Sequence, residues 1–118
     1  MCKIVTHPES DAPTLVKSAC GATEIVPLIR VTNLSQSLKQ LQDADWWTVG
    51  FDEKAEDISQ AHIKKGKYVL LLGAEGKGLR RLTKEQADML YALPANPNFS
   101  TLNVSNAAAI ASYLFRCI

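Results

Sequence analysis

One apolar run constrains the fold more than any other feature of this sequence. Residues 67–73 read Lys-Tyr-Val-Leu-Leu-Leu-Gly, and no charged residue follows the first lysine. An unbroken apolar strand is typical of a strand that is buried on both faces, as in a parallel sheet covered by helices. The run therefore predicts an α/β domain with a mostly parallel sheet and helices on both faces.

The patterns on either side of this run alternate between strands and helices. Strands are predicted over residues 2–6, 25–31, 46–51 and 91–94. Helices are predicted over residues 11–21, 34–41, 83–90 and 103–117, and over part of 55–65. Asn33 is the predicted cap of the second helix, and Thr83 with Gln86 forms a predicted capping box for the helix over 83–90. With 118 residues, 47% of them apolar, the chain suits one globular domain over its whole length.

The composition limits the compartment and the partners. No apolar run approaches the roughly 18 residues of a membrane span, and the first residues do not form a signal peptide, so we expect a cytoplasmic protein without a membrane partner. The cysteines Cys2, Cys20 and Cys117 match no zinc or redox spacing, which predicts reduced thiols. Because His7 and His62 have no ligand-like spacing either, no metal is expected.

The apolar run leads directly into a loop with three glycines, Gly73, Gly76 and Gly78. Glycine permits positive φ angles and close approach to a ligand, and loops at the carboxyl ends of parallel strands commonly bind ligands. The spacing matches neither a phosphate-binding P-loop nor a dinucleotide motif, and Glu75 would repel a phosphate. A cofactor without phosphates, such as S-adenosylmethionine with its sulfonium cation, fits better. A tight turn that binds nothing also explains the glycines.

A second segment follows the last predicted strand. Leu93-Pro94 leads through a polar loop to residues 100–105, Ser-Thr-Leu-Asn-Val-Ser, in which Asn103 is suited to cap the final helix. Alanines at residues 107–109 allow another backbone or helix to pack closely. A plain capped core helix explains this segment as well.

Together the two segments resemble the SpoU/TrmH family of RNA ribose 2′-O-methyltransferases, within the SPOUT superfamily. Residues 71–79, Leu-Leu-Gly-Ala-Glu-Gly-Lys-Gly-Leu, look like the second family motif, and Leu93-Pro94 with residues 100–105 looks like the third. The likeness extends upstream to about Pro13, and there it looks most like the branch that methylates a guanosine ribose of large-subunit ribosomal RNA.

The resemblance implies a trefoil-knotted fold that binds S-adenosylmethionine, acts on ribosomal or transfer RNA and forms homodimers. The alanine face of the final helix would suit packing against the second copy. By position, the resemblance assigns cofactor contacts to the backbones of Gly73, Leu93 and Leu102, places Leu72, Gly78 and Pro94 in the same pocket, and matches Glu75 and Asn103 to polar catalytic positions.

One part of the family pattern is missing from these 118 residues. The first family motif, an asparagine and glycine followed by an arginine on the first helix, belongs before the first strand, and nothing in residues 1–11 resembles it. That arginine is thought to take the proton from the ribose 2′-hydroxyl. We therefore expect impaired methyl transfer by this chain alone. A non-catalytic module that binds the cofactor or RNA is the principal alternative, and an unrelated nucleotide-binding α/β domain is a third.

A basic cluster adjoins the glycine loop and is the candidate RNA contact. Its members are Lys77, Arg80, Arg81 and Lys84. Because the net charge is only +1, any electrostatic contact with RNA must come from a local basic surface of this kind. A solvated helix start explains the cluster equally well.

Overall fold

The computed structural model describes residues 4–6, 24–73, 78–94, 98 and 102–116. The chain divides into two compact units, Met1–Ser37 and Leu38–Ile118. The single domain that we predicted across the whole chain stays a prediction. The predicted helix over residues 11–21, the cysteines Cys2, Cys20 and Cys117, and the side chains of His7, Glu75 and Lys77 lie outside the described residues.

The first unit contains two short strands, β1 (Ile4–Thr6) and β2 (Leu28–Arg30), which pair in parallel. β2 is shorter than the predicted strand over residues 25–31. Residues 24–26 form a turn, and Pro27, which has no N–H to donate to a sheet, precedes the first paired residue.

The second unit is built on a three-stranded parallel sheet with the order β4–β3–β5. Its strands are β3 (Trp46–Asp57), β4 (Lys67–Leu71) and β5 (Met89–Ala92), and its helices are α1 (Leu34–Asp43, which begins in the first unit), α2 (Arg81–Gln86) and α3 (Val104–Arg116). The predicted α/β class with a parallel sheet is confirmed, and the knot stays a prediction. No helix among the described residues is long and apolar enough to cross a membrane.

The core of the second unit is a cluster of three buried leucines, Leu38, Leu71 and Leu79, with Val69, Ala87 and Leu90 packed against it. Along β4 only Leu71 is fully buried, so burial on both faces is reached only at the carboxyl end of the run. At the other end, the Tyr68 ring packs on Phe115 of α3, with ring centroids 4.9 Å apart.

The prediction of a partial helix over residues 55–65 is wrong for residues 55–57. β3 continues through Asp57, and only Ile58–Gln60 forms a short 3-10 turn. Asp57 caps this turn, because its carboxylate accepts the N–H of Ser59 at 2.8 Å. The strand persists because Glu56 and Asp57 pair with Tyr91 and Ala92 of β5. Strand pairing of this kind overrides a weak local helix preference.

The capping box predicted at Thr83 and Gln86 is also wrong. Thr83 lies inside α2, whose N-cap is Arg80 and has no side-chain cap bond. The helix ends at Gln86, well before Leu90, and β5 starts two residues earlier than predicted because Met89 and Leu90 pair with β3.

Candidate functional site

The carboxyl ends of β4 and β5 lie at one edge of the sheet, on either side of β3, because both strands pair in parallel with it. β4 is followed by Leu72 and Gly73, and β5 is followed by Leu93 and Pro94. The structure thus brings four predicted cofactor residues to the edge at which α/β sheets bind ligands. Leu72 and Pro94 are exposed there, and Leu93 is half-buried.

The positions of Gly73 and Gly78 each favour glycine, Gly73 for lack of space and Gly78 for its backbone angle. A Cβ on Gly73 would lie 2.1 Å from the carbonyl carbon of Gly78 and 2.5 Å from the backbone nitrogen of Leu79. Gly78 itself has a φ of +66°, in the left-handed region that favours glycine. The positive φ predicted for this loop is present at Gly78, and the close approach at Gly73 is to the chain's own backbone.

Leu79, at the end of this loop, packs against the central strand β3. Its side chain is buried, and a Cβ added to Gly50 of β3 would lie only 2.8 Å from Leu79 Cδ1. The same Cβ would lie 2.8 Å from Leu90 Cδ2. Gly50 therefore makes room for two leucines. No local sequence pattern predicted this packing role for Gly50.

Leu102 and Asn103 immediately precede α3. The N–H of Ser105 donates to Asn103 Oδ1 at 2.8 Å, so the predicted helix cap is confirmed. At its other end, α3 places Phe115 against Tyr68, near the start of β4. Glu75, the other predicted catalytic residue, lies outside the described residues.

Two members of the basic cluster form ion pairs. Lys84 pairs with Asp52 of β3, and Arg81 pairs with Glu85 at 3.1 Å within α2. The side-chain hydrogen bond from Lys84 and the backbone hydrogen bond from Lys54 hold the pKa of Asp52 below its usual value. Arg80 is exposed at the start of α2. No group of His, Cys, Asp and Glu side chains within the described ranges could hold a metal ion.

A polar network that the sequence analysis missed lies at the opposite edge, where β3 and β5 begin. Thr48 is fully buried, and its hydroxyl donates to Asp88 Oδ2 at 2.7 Å while accepting from Gln42 Nε2 at 2.9 Å and from Asp88 N–H at 3.0 Å. One donor and two acceptor positions of the hydroxyl are thus all used. Burial by itself would raise the pKa of Asp88, but hydrogen bonds from Thr48 and Gln42 outweigh it and lower the pKa.

This network should stabilise the fold. We expect Thr48→Val to lower the free energy of unfolding by about 1–3 kcal/mol near neutral pH, since the Asp88 N–H loses its acceptor and the Asp88 carboxylate and Gln42 Nε2 each lose one of their hydrogen bonds. Because the lowered pKa of Asp88 lies below the ordinary 3.8, the stabilisation is complete above pH 3.8 and is lost as the pH falls through that lowered value. The difference between wild type and variant should therefore shrink in acid.

Urea unfolding of both proteins from neutral to strongly acidic pH measures this difference. Ser112→Ala, at an exposed position of α3, is the matched control and should change stability by less than about 0.5 kcal/mol. A Thr48→Val protein as stable as the wild type at neutral pH would contradict the prediction.

Comparison with known sequences gives two results. The model of the SpoU rRNA Methylase family matches residues 2–113. The proteins named 23S rRNA (guanosine-2′-O-)-methyltransferase RlmB from Pseudomonas putida and from Escherichia coli K12 are each 44% identical to this chain, over 86% and 85% of its length respectively. The chain spans only 41% of the length of each of these curated relatives.

Solved structures share the fold at lower identity. The SpoU methyltransferase AviRb from Streptomyces viridochromogenes, solved in complex with the cofactor AdoMet, superposes with a TM-score of 0.82 and 22% identity, covering 94% of this chain and 47% of its own. A TrmH-family protein from Porphyromonas gingivalis superposes with a TM-score of 0.83 and 20% identity, covering 98% and 48%. At these identities the likeness establishes the fold alone.

Proposed function

Because this chain belongs to the SpoU rRNA Methylase family, we propose that it is the cofactor-binding part of an S-adenosylmethionine-dependent RNA ribose 2′-O-methyltransferase that acts in the cytoplasm on ribosomal RNA. The observation that carries the proposal is the sheet edge formed by the ends of β4 and β5. At that edge Gly73 lies against the backbone of Gly78 and Leu79, and Leu93 and Pro94 follow the end of β5.

The described residues fit this cofactor. Gly73 and Gly78 carry no side chain that would cover the backbone, and in our proposal backbone N–H and C=O groups of this loop meet the polar edges of an adenosine. The exposed side chains of Leu72 and Pro94 offer apolar surface for its ring. We assign cofactor contacts to Leu72, Gly73, Gly78, Leu93, Pro94 and Leu102.

The protein's own residues must prepare the ribose for the reaction. When bound, S-adenosylmethionine supplies the methyl group that the 2′-oxygen receives. Asn103 can orient that hydroxyl, but an amide does not take up a proton near neutral pH, so it cannot serve as the base. We propose Glu75 and Asn103 as polar active-site residues, with Arg80 contributing a phosphate contact from the start of α2.

Calorimetric titration tests the proposed function directly. S-adenosylhomocysteine should bind the chain with a stoichiometry of about one per protomer, while ATP and NAD should not bind. Affinity for ATP or NAD without affinity for S-adenosylhomocysteine would overturn the proposal and favour an unrelated nucleotide-binding domain.

We also propose a homodimer, formed through a different face of α3 from the alanine face that was predicted. Most of the alanines are covered, since Ala111 is fully buried and Ala107 and Ala108 are half-buried, and only Ala109 among them is exposed. The exposed face instead presents Ile110 and Tyr113, with 43% and 65% of their surfaces accessible. A second copy that covers these two side chains would remove apolar surface from water.

This face makes the dimer testable. We expect the wild type to sediment as a dimer at micromolar concentration and Tyr113→Glu to sediment as a monomer, because a charge placed in an apolar interface must be desolvated without a partner. Ser112→Glu, one residue away and exposed, is the control and should remain dimeric. A wild type that is monomeric at the highest concentration would contradict the proposal.

A further inference from the structure

The central strand is irregular at the edge that carries the candidate site. Phe51 and Glu56 of β3 both pair with Tyr91 of β5, so residues 52–55 leave the regular ladder between them. Asp52 opens this bulge, and its Oδ1 accepts the backbone N–H of Lys54 at 3.0 Å. One oxygen of the Asp52 carboxylate thus organises the bulge itself.

The other oxygen of Asp52 reaches a different element. Oδ2 accepts an ion-paired hydrogen bond from Lys84 of α2, and the two side chains are only 16% and 34% exposed. By contrast, the Arg81–Glu85 pair lies within α2, and its side chains are 81% and 56% exposed. Exposed pairs contribute little to stability, whereas a partly buried pair that joins two elements restricts their relative position.

α2 follows directly on the glycine loop, so its position affects the loop. Leu79 packs over Gly50 of β3, and Lys84, five residues later, is tied to Asp52, two residues after Gly50. The segment from Gly78 to Lys84 is therefore attached to β3 at two neighbouring points. Gly73 in turn lies against the backbone of Gly78 and Leu79, with no room for a side chain between them.

We propose that the Asp52–Lys84 ion pair positions the glycine loop: by holding α2 on the β3 bulge, it keeps the backbone of Gly78 and Leu79 where the loop closes against Gly73. Asp52 and Lys84 are positioning residues, which act on the bound cofactor through the loop. The inference rests on the proposed function in that the loop binds S-adenosylmethionine.

Two single variants test the pair through cofactor affinity. Asp52→Asn and Lys84→Met, which keeps most of the aliphatic stem, should each weaken S-adenosylhomocysteine binding roughly tenfold, because each removes the charge that the partner needs. Asp52→Glu and Lys84→Arg retain the pair and should bind within about threefold of the wild type. Arg81→Met removes the exposed pair on the same helix and is the matched control, with no expected change.

Two further measurements separate positioning from general stability and from the proposed function. Thr48→Val, which destabilises the opposite edge, should leave affinity unchanged at a temperature where the protein is folded. Hydrogen exchange of the peptide covering residues 72–82, measured without ligand, should be about fivefold faster in Asp52→Asn and Lys84→Met than in Arg81→Met.

The outcomes are distinguishable. If the wild type does not bind S-adenosylhomocysteine, the proposed function fails, and the exchange rates alone decide whether the pair positions the loop. If the wild type binds, the inference is overturned when Asp52→Asn and Lys84→Met bind as tightly as Arg81→Met, or when Thr48→Val loses as much affinity as they do.

Discussion

Methyl transfer to unmodified ribosomal RNA is expected to rise by roughly 10²–10⁴-fold when this chain is extended at its amino terminus with the first strand and arginine-bearing helix of a relative. An unassisted ribose hydroxyl is almost wholly protonated at neutral pH, so the transfer depends on a positioned base. None of the proposed polar residues replaces an arginine that is placed against the 2′-oxygen. Asn103 cannot accept a proton, and Glu75 belongs to the loop that we propose as the cofactor contact.

The measurement compares the 118-residue chain with a chimera that carries the corresponding amino-terminal part of the Pseudomonas putida relative, using labelled S-adenosylmethionine. A second chimera with that arginine replaced by methionine is the control, because it keeps the added surface and the added stability. It should be as slow as the short chain. Rapid transfer by the short chain would contradict the prediction and direct attention to Glu75 and the nearby Arg80 as substitutes for the base.

Gly73→Val is expected to abolish detectable binding of S-adenosylhomocysteine. The new Cβ would occupy a point 2.1 Å from the carbonyl carbon of Gly78, a distance that real contacts do not allow, so the backbone on one side of the loop must move. A flexible side chain could give way, but here the obstacle is the peptide backbone itself. Since the loop backbone is the proposed cofactor contact, its displacement removes the site.

Two other glycines calibrate this result. Gly66→Ala is the matched control outside the loop, because its Cβ would meet nothing closer than the Tyr68 ring at 3.5 Å, an ordinary contact. Gly78→Ala has free space around the new Cβ but must keep a φ of +66°, at a cost of roughly 1–2 kcal/mol, so we expect an intermediate loss of affinity.

Calorimetry on all three variants, with circular dichroism to verify folding, measures the effect. If Gly73→Val is folded and binds as well as Gly66→Ala, the assignment of the pocket to this loop is wrong.

Local chemistry determined several features that could be predicted from the sequence. The apolar run at residues 67–73 indicated a strand of a parallel sheet, and β4 (Lys67–Leu71) occupies most of it and pairs in parallel with β3. Asn33 and Asn103 were predicted as caps, and each accepts a hydrogen bond from an N–H in the first turn of its helix. Gly78 has the positive φ expected of a glycine in a tight loop. Each of these features depends on residues within a few positions of one another, so the local sequence is sufficient to predict it.

Tertiary contacts decided what the sequence analysis did not foresee. Glu56 and Asp57 are strand because they pair with Tyr91 and Ala92 of β5, and Ala111 of α3 is fully buried rather than exposed. The hydrogen bonds of Thr48 with Asp88 join residues 40 positions apart, and the Asp52–Lys84 pair likewise joins separate elements. A local pattern contains no information on which distant polar group will meet a buried hydroxyl or a bulged carboxylate, because that partner is set by how the strands register in the sheet.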